Sequence, residues 1–166
     1  MIMIKKTYPI TENLLMQGYK LNQELLTILE REAEKLNSRQ DAATIAQLAE
    51  QKKRVSQQLE QFSLQLTQIL ATESLELNAS GIQHYFIKAK LANLPIKEGL
   101  ENWQKITQLI KRCQQLNEQN GASIALLMRH NQRIQQIFRG KNQFATTYTA
   151  KGSTTAAHFS RAIASA

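Results

Sequence analysis

The 166-residue chain has one cysteine, two prolines and six glycines, and its aromatics amount to 6%. Each shortage excludes something. One cysteine excludes a disulfide framework and a cysteine-based zinc cluster. So few prolines and glycines do not supply the turn punctuation of a β-sandwich. The scarce aromatics exclude a large ring-packed core. No run approaches the roughly 18 apolar residues of a membrane span, and MIMIKK at the start is far shorter in its apolar part than a signal-peptide core. These absences predict a soluble, cytoplasmic chain with no direct membrane insertion.

What is present is helix-forming and basic. Apolar residues reach 42%, and twenty glutamines supply uncharged helix formers. The net charge of +8 is uneven. Residues 1–87 hold nine basic and ten acidic side chains, whereas residues 88–166 hold twelve and three. Such asymmetry points to nucleic acid, a membrane surface or an acidic protein partner.

The apolar spacing is helical from end to end. Pro9 suits a first helical turn. Leu14, Gly18, Leu21, Leu25 and Ile28 then follow at steps of four and three, a heptad seam widened by Leu15, Leu26 and Leu29. Ser38 and Asp41 form a capping signal for a second helix. Its seam is Ile45, Leu48, Lys52, Val55, Leu59, Phe62, Leu66 and Ile69, apolar except at Lys52. Two such seams with a short connection predict an antiparallel helical hairpin, packed as a coiled coil or as ordinary bundle helices. Ser80 and Gln83 can cap a short helix through Ile82, Tyr85, Phe86 and Leu91. From Trp103 the rhythm resumes through Ile106, Ile110, Cys113, Asn117, Asn120, Ile124, Leu127, Asn131, Ile134 and Phe138.

The expected fold is therefore all-α: an elongated antiparallel hairpin or coiled-coil-like bundle of three long helices plus a short one. The helices fall at about 10–37, 39–73, 81–91 and 96–139, in a single domain over 1–139, with a break or kink at Gly121. Residues 140–166 contain no Asp or Glu, and 17 of these 27 are Ala, Thr, Ser or Gly. That composition buries little and reads as a flexible basic tail. Within it, Phe159 and Ile163 sit four apart and could form a short helix against a partner.

No catalytic constellation is visible, so an enzyme is not expected. His84, His130 and His158 have no metal-ligand spacing, and no cofactor is implied. Cys113 lies on the apolar seam and reads as a small buried side chain. Glu30, Glu32 and Glu34, interleaved with Arg31 and Lys35, read as a solvated face. The informative positions are Asn117, Asn120 and Asn131, polar residues on an apolar seam. They face either water or a partner helix. The continuing stripe of Ile124, Leu127, Ile134, Ile137 and Phe138 favours a partner helix held by reversible contacts. Tyr148 stands alone among small residues, as a docking anchor or as an incidental aromatic.

These residues carry a resemblance. LNEQNG at 116–121, the helix through Ile124 and Asn131 to Phe138, and TYTAKG at 147–152 resemble the C-terminal signature of the FlgN family of flagellar export chaperones. The resemblance implies a type III export chaperone of the cytoplasm. Its partners would be hook-associated proteins of the hook–filament junction (FlgK and FlgL type) and the cytoplasmic domain of the flagellar export gate. It assigns cargo binding to the helix from Gly121 to Phe138, with Ile124, Leu127, Asn131, Ile134, Ile137 and Phe138, and gate docking to Tyr148; the seam reading adds Asn117 and Asn120 to the cargo-binding set. Two rival classes follow from the residues alone. A basic helical nucleic-acid-binding protein would use the C-terminal charge, although stacking aromatics are missing. A structural coiled-coil subunit would self-associate without cargo.

Overall fold

In a computed structural model the described residues are 2–38, 42–138, 147–148 and 154–155, with side chains over 3–38, 42–129 and at 132. The fold is all-α. Four helices, α1 (Ile2–Asn37), α2 (Ala42–Thr72), α3 (Ala79–Leu91) and α4 (Lys97–Phe138), carry it. Thr147–Tyr148 and Thr154–Thr155 pair as a two-residue antiparallel ladder, Tyr148 opposite Thr154. The chain divides into two units, Met1–Ser123 and Ile124–Ala166.

The helix α1 starts eight residues before the expected position, so Pro9 lies inside it. A proline removes one helical donor and typically costs about 3 kcal/mol in a helix interior. Burial offsets this: Ile4 and Tyr8 are each 2% exposed and Thr11 1%. Sequence spacing alone placed Pro9 at the helix start because it could not see that packing.

The hairpin is present. Gly18 meets Phe62, Ile28 packs with Leu48 and Val55, and Glu32 meets Lys52. Positions rise on α1 as they fall on α2, so the two run antiparallel. Gly18 is the fitted position. A Cβ there would come within 2.5 Å of the Phe62 ring, so the glycine in the seam is a socket for that ring.

The other face of α1 takes α4, in parallel. Tyr8 lies against Gly99, the Cys113 thiol reaches the Asn22 carbonyl, and Leu29 packs with Cys113 and Leu116. Lys105 sits over the Tyr19 ring at 5.5 Å, a cation–π contact.

The connections are closed by left-handed residues. Ser74 and Asn93 have φ of 58° and 59°. After α2, Leu75 N–H donates to Leu70 and Ser74 N–H to Ala71; after α3, Leu94 N–H donates to Ala89 and Asn93 N–H to Lys90. Both are Schellman closures, which satisfy the last carbonyls of a helix. Helix α3 begins at Asn78, whose side chain accepts from Gly81 N–H at 2.8 Å. The expected cap, Ser80, instead contacts His84. Ser38 likewise closes α1, donating to the Lys35 carbonyl; Asp41 lies outside the described residues.

Helix α4 is continuous through Gly121, so the expected break is absent. A Cβ at Gly121 would meet nothing within 4 Å. An extended helical run tolerates one glycine at a cost of about 1 kcal/mol relative to Ala.

Candidate functional site

Three places concentrate polar or accessible apolar groups. The first is a buried charge node. Glu32, read from sequence as part of a solvated face, is 1% exposed. The Lys52 ammonium donates to its two carboxylate oxygens at 2.8 and 3.0 Å. Asn120, 3% exposed, donates from Nδ2 to the Glu32 carboxylate and to the Leu29 carbonyl, both at 2.9 Å. Lys52 also approaches the Asn117 Oδ1 at 3.5 Å. A buried carboxylate survives only when its charge and lone pairs are matched, and Lys52 with Asn120 matches them. Lys52, the one polar member of the α2 seam, is thereby explained.

The node corrects the reading of Glu32 as a solvated face, and it involves two of the seam asparagines. Asn120 faces α1 of its own chain, where its amide donates to Leu29 and Glu32 in the core. Asn117 is exposed, but it too turns toward Lys52. The apolar periodicity does mark the side of α4 that meets α1 at Ile106, Cys113 and Asn120. What it could not show was that α1 carries a second inward face, with a carboxylate needing donors from α4.

The second place is the aromatic end. Tyr8, Tyr85 and Phe86 lie with ring centroids 6.4 Å apart. The Tyr85 hydroxyl shares a 2.8 Å hydrogen bond with Thr11 and donates to Thr7 at 3.0 Å, and Tyr8 donates to the Pro95 carbonyl. Burial, with help from Glu12, pushes Tyr8 up to about 12. Burial also raises Tyr85, against the two threonine hydrogen bonds. This end is closed by neutral hydroxyls and presents no reactive group. Cys113 is buried, as its place on the seam implied, and burial raises its thiol. His84 is exposed. Among the described residues no group of His, Cys, Asp and Glu could hold a metal, and no helix is long and apolar enough to cross a membrane.

The third place is accessible apolar surface, and two parts of it involve the α4 seam. One is a groove of about 480 Å³ between α2 and α4, floored by α1. Helix α2 lines it with Ala49, Lys52, Lys53 and Ser56, then Leu59; α4 lines it with Ile110, Cys113, Gln114 and Asn117. Each set of four follows the i, i+3, i+4, i+7 pattern of one helical face. From α1, Leu25 and Leu29 provide an apolar floor. Much of its lining (Leu25, Lys52, Leu59, Ile110, Cys113 and Asn117) lies on the seams read from sequence, but spacing alone could not show that these seams leave a groove between α2 and α4.

The other part lies on α4 within the second unit. Ile124 and Leu127 are half-buried, while Leu126 and Met128 are 66% and 62% exposed. The helix also carries Asn131, Ile134, Ile137 and Phe138, whose side chains lie outside the described residues, as do the side chain of Tyr148 and the expected helix around Phe159 and Ile163. Gly121 is exposed.

The described part of the chain is an all-α helical bundle that keeps apolar helix faces accessible. The family model described as FlgN protein matches residues 7–156. The chain belongs to the FlgN family and is in general terms a flagellar export chaperone, with flagellar proteins as its partners. No curated protein and no solved structure matches it.

Proposed function

We propose that this chaperone is a non-catalytic cytoplasmic protein that binds the terminal helices of hook–filament junction proteins (FlgK and FlgL type) and delivers them to the cytoplasmic domain of the export gate. The carrying observation is that half-buried Ile124 and Leu127 and the 62% exposed Met128 follow i, i+3, i+4 on one face of α4, in a chain matched to the family over 7–156. Large apolar side chains clustered on an accessible helix face mark a protein-binding surface. Amphipathic export substrates would otherwise self-associate, and a chaperone supplies the missing helix face. The partner contacts run over Ile124, Leu127, Asn131, Ile134, Ile137 and Phe138. Asn120 supports that helix from within the bundle. The Tyr148 ring is the gate-docking anchor, since tyrosine offers contact area at low entropic cost.

The test is a pair of variants. Polar replacement of Ile124, Leu127 and Ile134 together is expected to leave the circular dichroism of the bundle intact and abolish capture of the junction proteins. Tyr148→Ala is expected to retain capture and reduce secretion. Unchanged cargo affinity in the triple variant overturns the cargo assignment, and normal secretion by Tyr148→Ala removes the docking role.

A further inference from the structure

The groove between α2 and α4 is bounded by three helices that each turn a helical face into it. Helix α1 contributes Asn22, Leu25 and Leu29 at i, i+3 and i+7. With the two walls, this is the arrangement around the vacant position of a four-helix bundle, where an added helix packs at interaxial distances of roughly 8–10 Å. Its volume, about 480 Å³, lies within the roughly 300–1,000 Å³ of ligand sites. The lined stretch spans about two helical turns on α4 and nearly three on α2, roughly 10 and 15 Å.

Charge narrows the occupant. The only charged side chains lining the groove are Lys52 and Lys53. Lys52 is neutralised by Glu32 beneath it. Lys53 is exposed and has no ion pair or hydrogen bond among the described residues. The lining contains no Asp or Glu. Apolar contact is offered by Leu25, Leu59 and by Ile110, which is 39% exposed. The chain's own residues 140–166 carry no acidic side chain, so they do not complement Lys53.

We propose that this groove is a second docking site, which takes two turns of an amphipathic partner helix with an apolar seam on Leu25, Leu59 and Ile110 and an acidic side chain on Lys53. The class of partner rests on the chaperone reading above; the site does not coincide with the α4 surface assigned there. The occupant is an acidic-faced helix of a partner protein, and a second copy of the chain is an outcome of the test.

The experiment uses the full chain and two labelled synthetic helical peptides with an identical leucine seam, differing at one flanking position, Glu in one and Lys in the other. In fluorescence anisotropy the Glu peptide is expected to bind at least tenfold more tightly. Lys53→Glu is expected to reverse that order, and Ile110→Asp to weaken both peptides at least tenfold with unchanged far-ultraviolet circular dichroism. Equal binding of the two peptides, or wild-type binding by both variants, overturns the proposal. Conversion of a wild-type dimer to monomer by Ile110→Asp in sedimentation also overturns it, since a second copy then fills the groove. Capture of junction proteins separates the two readings. If the groove variants capture them normally and also bind both peptides as wild type, the groove fails and the chaperone reading stands. If neither these variants nor the unmodified chain captures them, the chaperone reading fails, whatever the peptides do.

Discussion

The two ends of the first unit bury polar atoms in opposite ways. At the aromatic end, Tyr8 and Tyr85 bury neutral hydroxyls among rings and satisfy them with Thr7, Thr11 and the Pro95 carbonyl. At the charge-node end, a carboxylate at 1% exposure is held by a lysine whose side chain is 24% exposed. Neutral hydroxyls need one or two partners and tolerate dense packing. A buried carboxylate needs an opposite charge and further donors, so three helices converge on Glu32. Lys52, drawn to that pair, lines the open groove. The closed end holds the fold together, and the charge node holds α4 in register beside an accessible surface.

The strongest way to break this contrast is to remove the cation. Lys52→Met leaves Glu32 buried without its counter-charge and is expected to cost about 3–5 kcal/mol, the range for breaking a buried pair from one side. The double variant Glu32→Leu with Lys52→Met is expected to recover most of that loss, because a packed apolar pair replaces a buried ionic one. Urea unfolding of the three proteins measures both quantities. A loss under 1 kcal/mol in the single variant would show that the node is hydrated and not part of the core.

The aromatic end responds instead to alkali. Tyr8 ionises at about 12 in the folded chain against 10.0 for a free tyrosine. The folded state therefore favours the protonated phenol. The stability linked to Tyr8 is fully present below pH 10 and is lost as pH rises toward 12. Stability curves of the wild type and Tyr8→Phe are expected to converge over that window, and parallel curves would show that Tyr8 is not the responding group. A smaller change is Tyr85→Phe, which leaves the Thr11 hydroxyl without its 2.8 Å partner. The expected cost is about 1–2 kcal/mol by thermal or urea unfolding, below the effect of Lys52→Met.

The contrast also marks what could be read from sequence. The α2 seam, the hairpin and the buried Cys113 were legible because apolar spacing reports which side of a helix faces a core. Gly18 was placed on its seam, although only the Phe62 ring explains why it is glycine. Legibility ended where a residue's role depends on a partner far along the chain. Glu32 looks solvated beside Glu30 and Glu34; only Lys52, 20 residues on, and Asn120, 88 residues on, make it a core residue. The groove was hidden for the same reason: Leu25, Lys52, Leu59, Ile110 and Cys113 were visible as seam residues, but that they leave a groove depends on how α2 and α4 flank α1. Pro9 misled because its local preference for a helix start yielded to the burial of Ile4 and Tyr8.

The smallest effect probes where the stitched part of α4 ends. Asn120 is tied to α1 by two hydrogen bonds, and the next residue, Gly121, has open space around its Cα. Alanine there meets no clash and replaces the least favourable ordinary helix residue by the best, so Gly121→Ala is expected to stabilise α4 by up to about 1 kcal/mol. The gain should appear as slower amide hydrogen exchange over 121–129, where α4 no longer has the Asn120 ties. Protection at Ile106 and Cys113 should change less, because packing on α1 already holds that part. If Gly121→Ala also leaves junction-protein capture unchanged, the glycine sets local helix stability and contributes no contact. If capture falls while protection rises, ease of bending at Gly121 is itself what the cargo uses, and the division between a rigid half and an adaptable half of α4 lies at this residue.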